Sequence, residues 1–168
     1  TDIDRVIIAG GDGTLHHCGN LLLKYANNRS RDIMLGIFPC GTGNDWYRTH
    51  GIQKKQLAQR LLECKRVPLN ILKLEWPDGR LSYAFNMVGA GLDGAVVKSI
   101  IEQPFINKTG FFKYPLALLK TLLKKNKWSS ELRLDSTIYT GDWLTIEAGF
   151  GKYCGGGMYV LPHASETK

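Results

Sequence analysis

The sequence predicts an α/β unit followed by a mainly β part with helical insertions. Three observations carry that prediction. Two short apolar runs each end in a glycine-rich loop, helical periodicity follows each loop, and after residue 66 the pattern changes to alternating segments joined by turns.

Arg5-Val6-Ile7-Ile8-Ala9 is apolar without alternation, as in a strand buried on both faces. Gly10-Gly11-Asp12-Gly13 breaks it. A helix is expected from near Thr14, with Leu15, Cys18, Leu22 and Tyr25 on one stripe, until Asn27-Asn28-Arg29-Ser30 ends it. Residues 33–38 form the second apolar strand, and Pro39-Cys40-Gly41-Thr42-Gly43-Asn44-Asp45 the second loop. Residues 54–64 read as another helix, with Leu57, Leu61 and Leu62 inward. Residues 1–66 are therefore expected to belong to a parallel α/β domain, and residues 67–168 to a second domain. In the second, residues 69–76 and 81–88 make a hairpin across Trp76-Pro77-Asp78-Gly79-Arg80. Residues 129–135 and 143–149 are further strands, joined through Tyr139-Thr140-Gly141-Asp142.

The 168-residue chain is 43% hydrophobic and 22% charged, a globular composition that excludes wholesale disorder. No apolar run reaches the ~18 residues of a membrane span. The net charge of +7 is concentrated, because residues 98–128 hold seven lysines against the one acid Glu102. Within that stretch residues 111–127 are a basic amphipathic segment. Phe112, Leu116, Leu119 and Leu123 fall at helical steps, with Lys113, Lys120, Lys124 and Lys127 on another side. Two readings stand for it. One is a core-packing helix with solvated lysines; the other is peripheral contact with an anionic membrane face, at ~1 kcal/mol per lysine near the surface. No nucleic-acid partner is expected, since arginine–aromatic interleaving and the known binding signatures are missing. Four cysteines and four histidines, the adjacent His16-His17 among them, lack ligand spacing, so neither a structural zinc nor a disulfide framework is expected. Without a secretory leader, the chain reads as cytoplasmic, and peripheral at the inner membrane face if the basic helix meets lipid.

A right-handed crossover brings the carboxyl ends of both apolar strands to one sheet edge, where open α/β sheets bind ligands. The two glycine loops should meet there. Glycines let backbone N–H groups approach a phosphate, Thr14 and Thr42 add hydroxyl donors, and a helix start adds its positive end. The candidate nucleotide contacts in the loops are Gly10, Gly11, Asp12, Gly13, Thr14, Gly41, Thr42, Gly43 and Asn44. The lysine of a P-loop is missing. Asp12 would repel phosphate unless it faced Mg²⁺ or the attacking hydroxyl, which makes it the candidate catalytic and metal residue. The alternative is a mere Asp-Gly turn pair. Gly89-Ala90-Gly91-Leu92-Asp93-Gly94 fits GxGxxG, but no acid opens a strand ~20 residues on, so the dinucleotide pattern fails its context. Cys40 is read as a small residue, not a reactive one.

Gly10-Gly11-Asp12-Gly13-Thr14 followed by Pro39-Cys40-Gly41-Thr42-Gly43-Asn44-Asp45 resembles the diacylglycerol kinase catalytic domain family, which includes bacterial lipid kinases and the sphingosine kinases. Asn86-Met87-Val88-Gly89-Ala90-Gly91-Leu92-Asp93-Gly94 and Gly155-Gly156-Gly157-Met158, leading to Pro162 and Ala164, extend the resemblance in family order. It implies an incomplete Rossmann-like nucleotide domain of the NAD kinase and phosphofructokinase type. A β-sandwich lipid domain with helical insertions would follow, with ATP in the cleft. By that resemblance Gly11, Asp12, Gly13, Thr14, Leu15 and Thr42 contact the nucleotide, and Asp12 sits by Mg²⁺ and the acceptor hydroxyl. Asp45 matches an acidic position of the second loop, and Asp93 one that faces the lipid head group in sphingosine kinases. The chain departs from the family at His16-His17, where Asn-Glu is common, and at Asn70, where Asp is common. It stops before the Asp-Gly segment and later carboxylate that members carry, so an interior piece, inactive by itself, is expected. The implied activity is transfer of the γ-phosphoryl group of ATP to a lipid hydroxyl such as that of diacylglycerol. NAD kinase and a non-catalytic nucleotide-binding regulatory domain are the alternatives.

Overall fold

The first strand, β1 (Arg5–Gly10), lies parallel to β2 (Met34–Pro39), with Arg5 opposite Met34 and Gly10 opposite Pro39. Between them runs α1 (Asp12–Asn27), so strand, crossover and strand follow the expected order. A computed structural model of the chain describes residues 4–27, 33–51, 57–63, 67–102, 113–123 and 127–165. Arg29, residues 54–56, Cys64, Lys108, Phe111, Phe112, Lys124 and Lys125, all of which figure in the expectations above, lie outside the described residues.

α1 starts at Asp12, two residues before the expected Thr14. Leu15 and Ile8 are buried together with Phe85, and Val6, Leu22, Leu35 and Ile37 pack around them. Burying a side chain such as Phe85 contributes about 1.5–3 kcal/mol. Gly19 is the reason the ring fits, since a Cβ there would collide with it. The short α2 (Asp45–Thr49), which the sequence pattern does not announce, follows the second loop, and α3 (Leu57–Glu63) lies inside the expected helix.

Strands β3 (Leu72–Glu75) and β4 (Leu81–Ala84) are the expected antiparallel hairpin, closed by Trp76 N–H to Arg80 O and turning at Gly79, φ 79°. The hairpin docks on α1 through Asn20, whose Nδ2 donates to Tyr83 O (2.9 Å) while Tyr83 N–H donates to its Oδ1 (2.8 Å). By contact the chain divides into Thr1–Met87 with Gly149–Lys168, and Val88–Ala148. The division expected after residue 66 falls inside the first of these units.

The second unit holds β5 (Met87–Gly91) paired with β8 (Thr145–Gly149), and α4 (Leu92–Glu102) packed on α5 (Lys113–Leu123). Leu92, Val96 and Ala117 form its core, and the buried Thr121 hydroxyl donates to Ala117 O at 2.8 Å. Leu119 and Leu123, on the apolar stripe of the basic helix, are 57% and 74% exposed. The ribbon of β6 (Trp128–Leu134) and β7 (Thr137–Trp143) corrects a second expectation: Tyr139-Thr140-Gly141-Asp142 lies within β7, not in a turn. The turn is at Asp135, whose φ of 51° is one that a short polar side chain tolerates. In the first unit, β9 (Tyr153–Cys154) and β10 (Met158–Tyr159) close a last hairpin over Gly155, Gly156 and Gly157, all at positive φ. Among the described residues every sheet is two-stranded, so the β-sandwich expected after residue 66 is not assembled there.

Candidate active site

The parallel register delivers both glycine loops to one edge, and Cys40 N–H donates to Gly10 O (2.9 Å) just beyond the last strand pair. The backbones then touch. A Cβ on Gly11 would stand 2.9 Å from Gly41 Cα, and one on Gly41 would collide with Gly11. A Cβ on Gly10 would run into Thr14 at 2.5 Å. Gly13 differs, because nothing stands within 4 Å of the Cβ it lacks. The first intrahelical bond of α1 runs from Leu15 N–H to Gly11 O, so the N–H groups of Asp12, Gly13 and Thr14 have no partner within the helix. Thr14 and Thr42 are exposed beside them, whereas Leu15 is buried in the core, its side chain turned away from any ligand.

Asn44 shapes the second loop. It adopts φ 51° and ψ 43°, and its amide brackets Gly41 by accepting from Gly41 N–H (2.9 Å) and donating to Gly41 O (2.5 Å). The amide of this candidate nucleotide contact therefore also holds the shape of the loop.

Asp12 also makes bonds within the protein. Its Oδ2 accepts from Asp45 N–H (3.1 Å) and its Oδ1 from Trp46 N–H (2.9 Å), so the carboxylate caps the start of α2. Each oxygen keeps further lone-pair capacity. Asp45, only 5% exposed, turns to the last hairpin, where Gly156 N–H donates to its Oδ2 at 2.7 Å. Its Oδ1 is buried without a hydrogen bond, 3.8 Å from Arg48 Nε. Burial pushes the Asp45 carboxyl above its ordinary range. The Gly156 N–H opposes that shift, the Asp12 charge adds to it, and Arg48 and the Gly157 N–H oppose it again. Arg48 also donates to Gly43 O (3.3 Å) and lies 5.8 Å from the centre of the Tyr153 ring. Three segments thus converge at Gly43, whose missing Cβ would lie 3.2 Å from Asp12 Oδ2, 3.4 Å from Asp45 Oδ2 and 3.5 Å from Gly156 Cα.

Residue spacing gives no signal for Arg48, or for the bond from Gly156 to Asp45 across 111 residues. Asn86 belongs to the same arrangement, with Nδ2 donating to Tyr153 O (2.8 Å) and its carbonyl accepting from Phe150 and Gly151. Asp93 lies in the second unit, in the first turn of α4. A groove of about 550 Å³ is lined mainly by apolar side chains of β1 and α1 such as Ile7 and Leu21.

Free helical N–H groups, two hydroxyls and an open space at Gly13 fit a polyphosphate, and the remaining lone pairs of Asp12 fit a hydrated divalent cation. Residues 1–74 match the diacylglycerol kinase catalytic domain. Over 168 residues the chain is 27% identical to proteins named "Putative lipid kinase" in Staphylococcus aureus strains JH9 and Mu3, with 98% of this chain aligned to 51% of each relative. A solved structure described as a diacylglycerol kinase from Bacillus anthracis shares the fold at a TM-score of 0.66 and 22% identity, covering 97% of this chain and 50% of that one. The chain spans about half the length of the curated relatives it matches. Over residues 1–74 the chain is therefore similar to the diacylglycerol kinase catalytic domain.

Proposed function

We propose that the protein is an ATP- and Mg²⁺-dependent lipid kinase that phosphorylates a hydroxyl of diacylglycerol or a similar lipid. The observation that carries this is the contact of Gly11 with Gly41, which joins two glycine loops at the positive end of a 16-residue helix. Under this reading the N–H groups of Gly13 and Thr14, with the Thr14 and Thr42 hydroxyls, hold the phosphates. Asp12 holds the magnesium ion, whose charge offsets that of the phosphates when bound. Phosphoryl transfer asks the protein mainly for positioning and charge stabilisation, which fixed backbone donors supply. The acceptor oxygen would form its bond to the γ-phosphorus as the bond to the β-phosphate oxygen breaks, ADP would leave with that electron pair, and the hydroxyl proton would pass to water. Residues 67–168 would contribute to a lipid-binding β-sandwich, and the basic segment at residues 111–127 would meet an anionic membrane face.

The test is incubation of the intact protein with γ-labelled ATP, Mg²⁺ and mixed lipid micelles, with Asp12→Asn as control. Label in an organic-phase lipid that disappears in the variant is the expected result. Label on added NAD⁺ would replace the reading with NAD kinase. ATP binding without any transfer would replace it with a regulatory nucleotide-binding domain.

A further inference from the structure

We propose that Glu147 is a positioning residue for Asp93: the two carboxyl groups share one proton, which fixes Asp93 at the first turn of α4 as a singly charged acceptor. The pair sits where β5 lacks a side chain. A Cβ on Gly89 would lie 2.5 Å from Asp93 Oδ2 and 2.7 Å from Glu147 Oε2, so the glycine makes room for both. Glu147 Oε2 and Asp93 Oδ2 thus crowd the same space beside Gly89. Two carboxylates only accept, so a bond between them requires that one be a carboxylic acid. Treated as a carboxylate, Glu147 has a buried Oε2 with no donor to it; treated as an acid, it donates from that atom to Asp93. Its other oxygen is already served, since the Thr145 hydroxyl donates to Oε1 at 2.8 Å, with Ala90 O also near at 3.2 Å.

The surrounding elements favour the same proton. Asp93 is the charged group that α4 turns towards Glu147, and β8 adds the neutral Thr145. β5 supplies Gly89 and the Ala90 carbonyl. Burial first, and then the Asp93 charge, raise the Glu147 carboxyl to about 7, with Thr145 opposing. One net negative charge at the start of α4 suits the helix dipole, whereas two would repel. Above neutral pH the proton is lost and Asp93 loses the partner that orients it.

The intact protein, carboxyl-labelled with carbon-13, would be titrated by NMR from about pH 4 to about pH 9, beside Glu147→Gln and Asp93→Asn. One carboxyl should titrate near neutrality in the wild type, be absent from Glu147→Gln, and titrate closer to the ordinary range in Asp93→Asn. If every carboxyl has finished titrating below about pH 5.5, near the ordinary range, the shared proton does not exist. The wild-type titration decides this even if a variant fails to fold. The positioning role rests on the lipid-kinase reading and has its own measurement. The KM for diacylglycerol should rise several-fold from about pH 6 to about pH 8 with little change in kcat, and Glu147→Gln should flatten that slope. Equal slopes would overturn it. A wild type that phosphorylates no lipid would instead refute the kinase reading, leaving the NMR result to decide the proton.

Discussion

Asp12 accepts with both oxygens from the first two N–H groups of α2, so the side chain proposed to hold the magnesium ion is also a fold residue. Charge-assisted caps of this kind contribute about 1–2 kcal/mol. Asp12→Asn should therefore lower the urea midpoint as well as abolish transfer, because an amide can accept at only one of the two positions. An unchanged midpoint would show that the cap carries no stability. Glu147 makes a prediction of opposite sign. Its carboxyl is raised from 4.5 to about 7, so the folded state holds its proton where the unfolded chain has released it. That contribution is whole below about 4.5, the unfolded value, and is lost as pH rises through neutrality. His50 acts the other way, since burial lowers its pKa and it resists protonation as the pH falls below its ordinary 6.5. The difference in denaturant midpoint between wild type and Glu147→Gln isolates the carboxyl, and it should favour the variant increasingly from pH 5 to pH 8. A pH-independent difference would rule out the shift.

At the scale of elements, the two glycine loops divide into positions that packing needs and positions a ligand needs. Gly41→Ala sets a Cβ against the Gly11 backbone, so the loops must part. Both folding stability and nucleotide affinity should fall. Gly13→Ala meets open space in the first turn of α1, where alanine is the better helix former by up to ~1 kcal/mol. It should leave stability equal or higher while weakening ATP binding at least tenfold, because the methyl group fills the space proposed for phosphate. Calorimetric titration with ATP beside thermal unfolding checks the pair, and undiminished binding by Gly13→Ala would place the phosphates elsewhere. These loops were legible because consecutive glycines directly after an apolar run leave few alternatives. What holds them was not. The cap from Asp12 to α2 and the bond from Gly156 to Asp45 both depend on contacts between segments, and no local pattern encodes them. The same is true of Asp93 and Glu147, 54 positions apart in sequence. The ribbon turn at Asp135 was misplaced for a different reason, since the Gly141-Asp142 signal is stronger in sequence than the one the chain uses.

For the whole molecule the question is how a kinase of this kind would meet an insoluble substrate, and charge is the property that bears on it. Nearly all of the net +7 lies in residues 98–128. Among the described residues, no helix is long and apolar enough to cross a membrane. α5 turns Ala117 and Thr121 inward and leaves Leu119 and Leu123 in solvent, with Lys120 and Lys127 also exposed. A helix whose lysines merely solvate a packed apolar stripe would have those leucines covered. An exposed apolar edge beside lysines is instead suited to the boundary of an anionic bilayer, where insertion and charge attraction add. The intact protein should therefore co-sediment with vesicles rich in anionic lipid and not with neutral ones, and added salt should release it. Replacing Lys98, Lys120 and Lys127 by glutamine should weaken binding by about fivefold for each lysine at low ionic strength, the equivalent of ~1 kcal/mol apiece. Leu119→Gln with Leu123→Gln should weaken it further while leaving the salt dependence in place, because those side chains contribute area and not charge. Binding that ignores both the lysines and the leucines would return α5 to a structural role, and the lipid would have to be met by another surface.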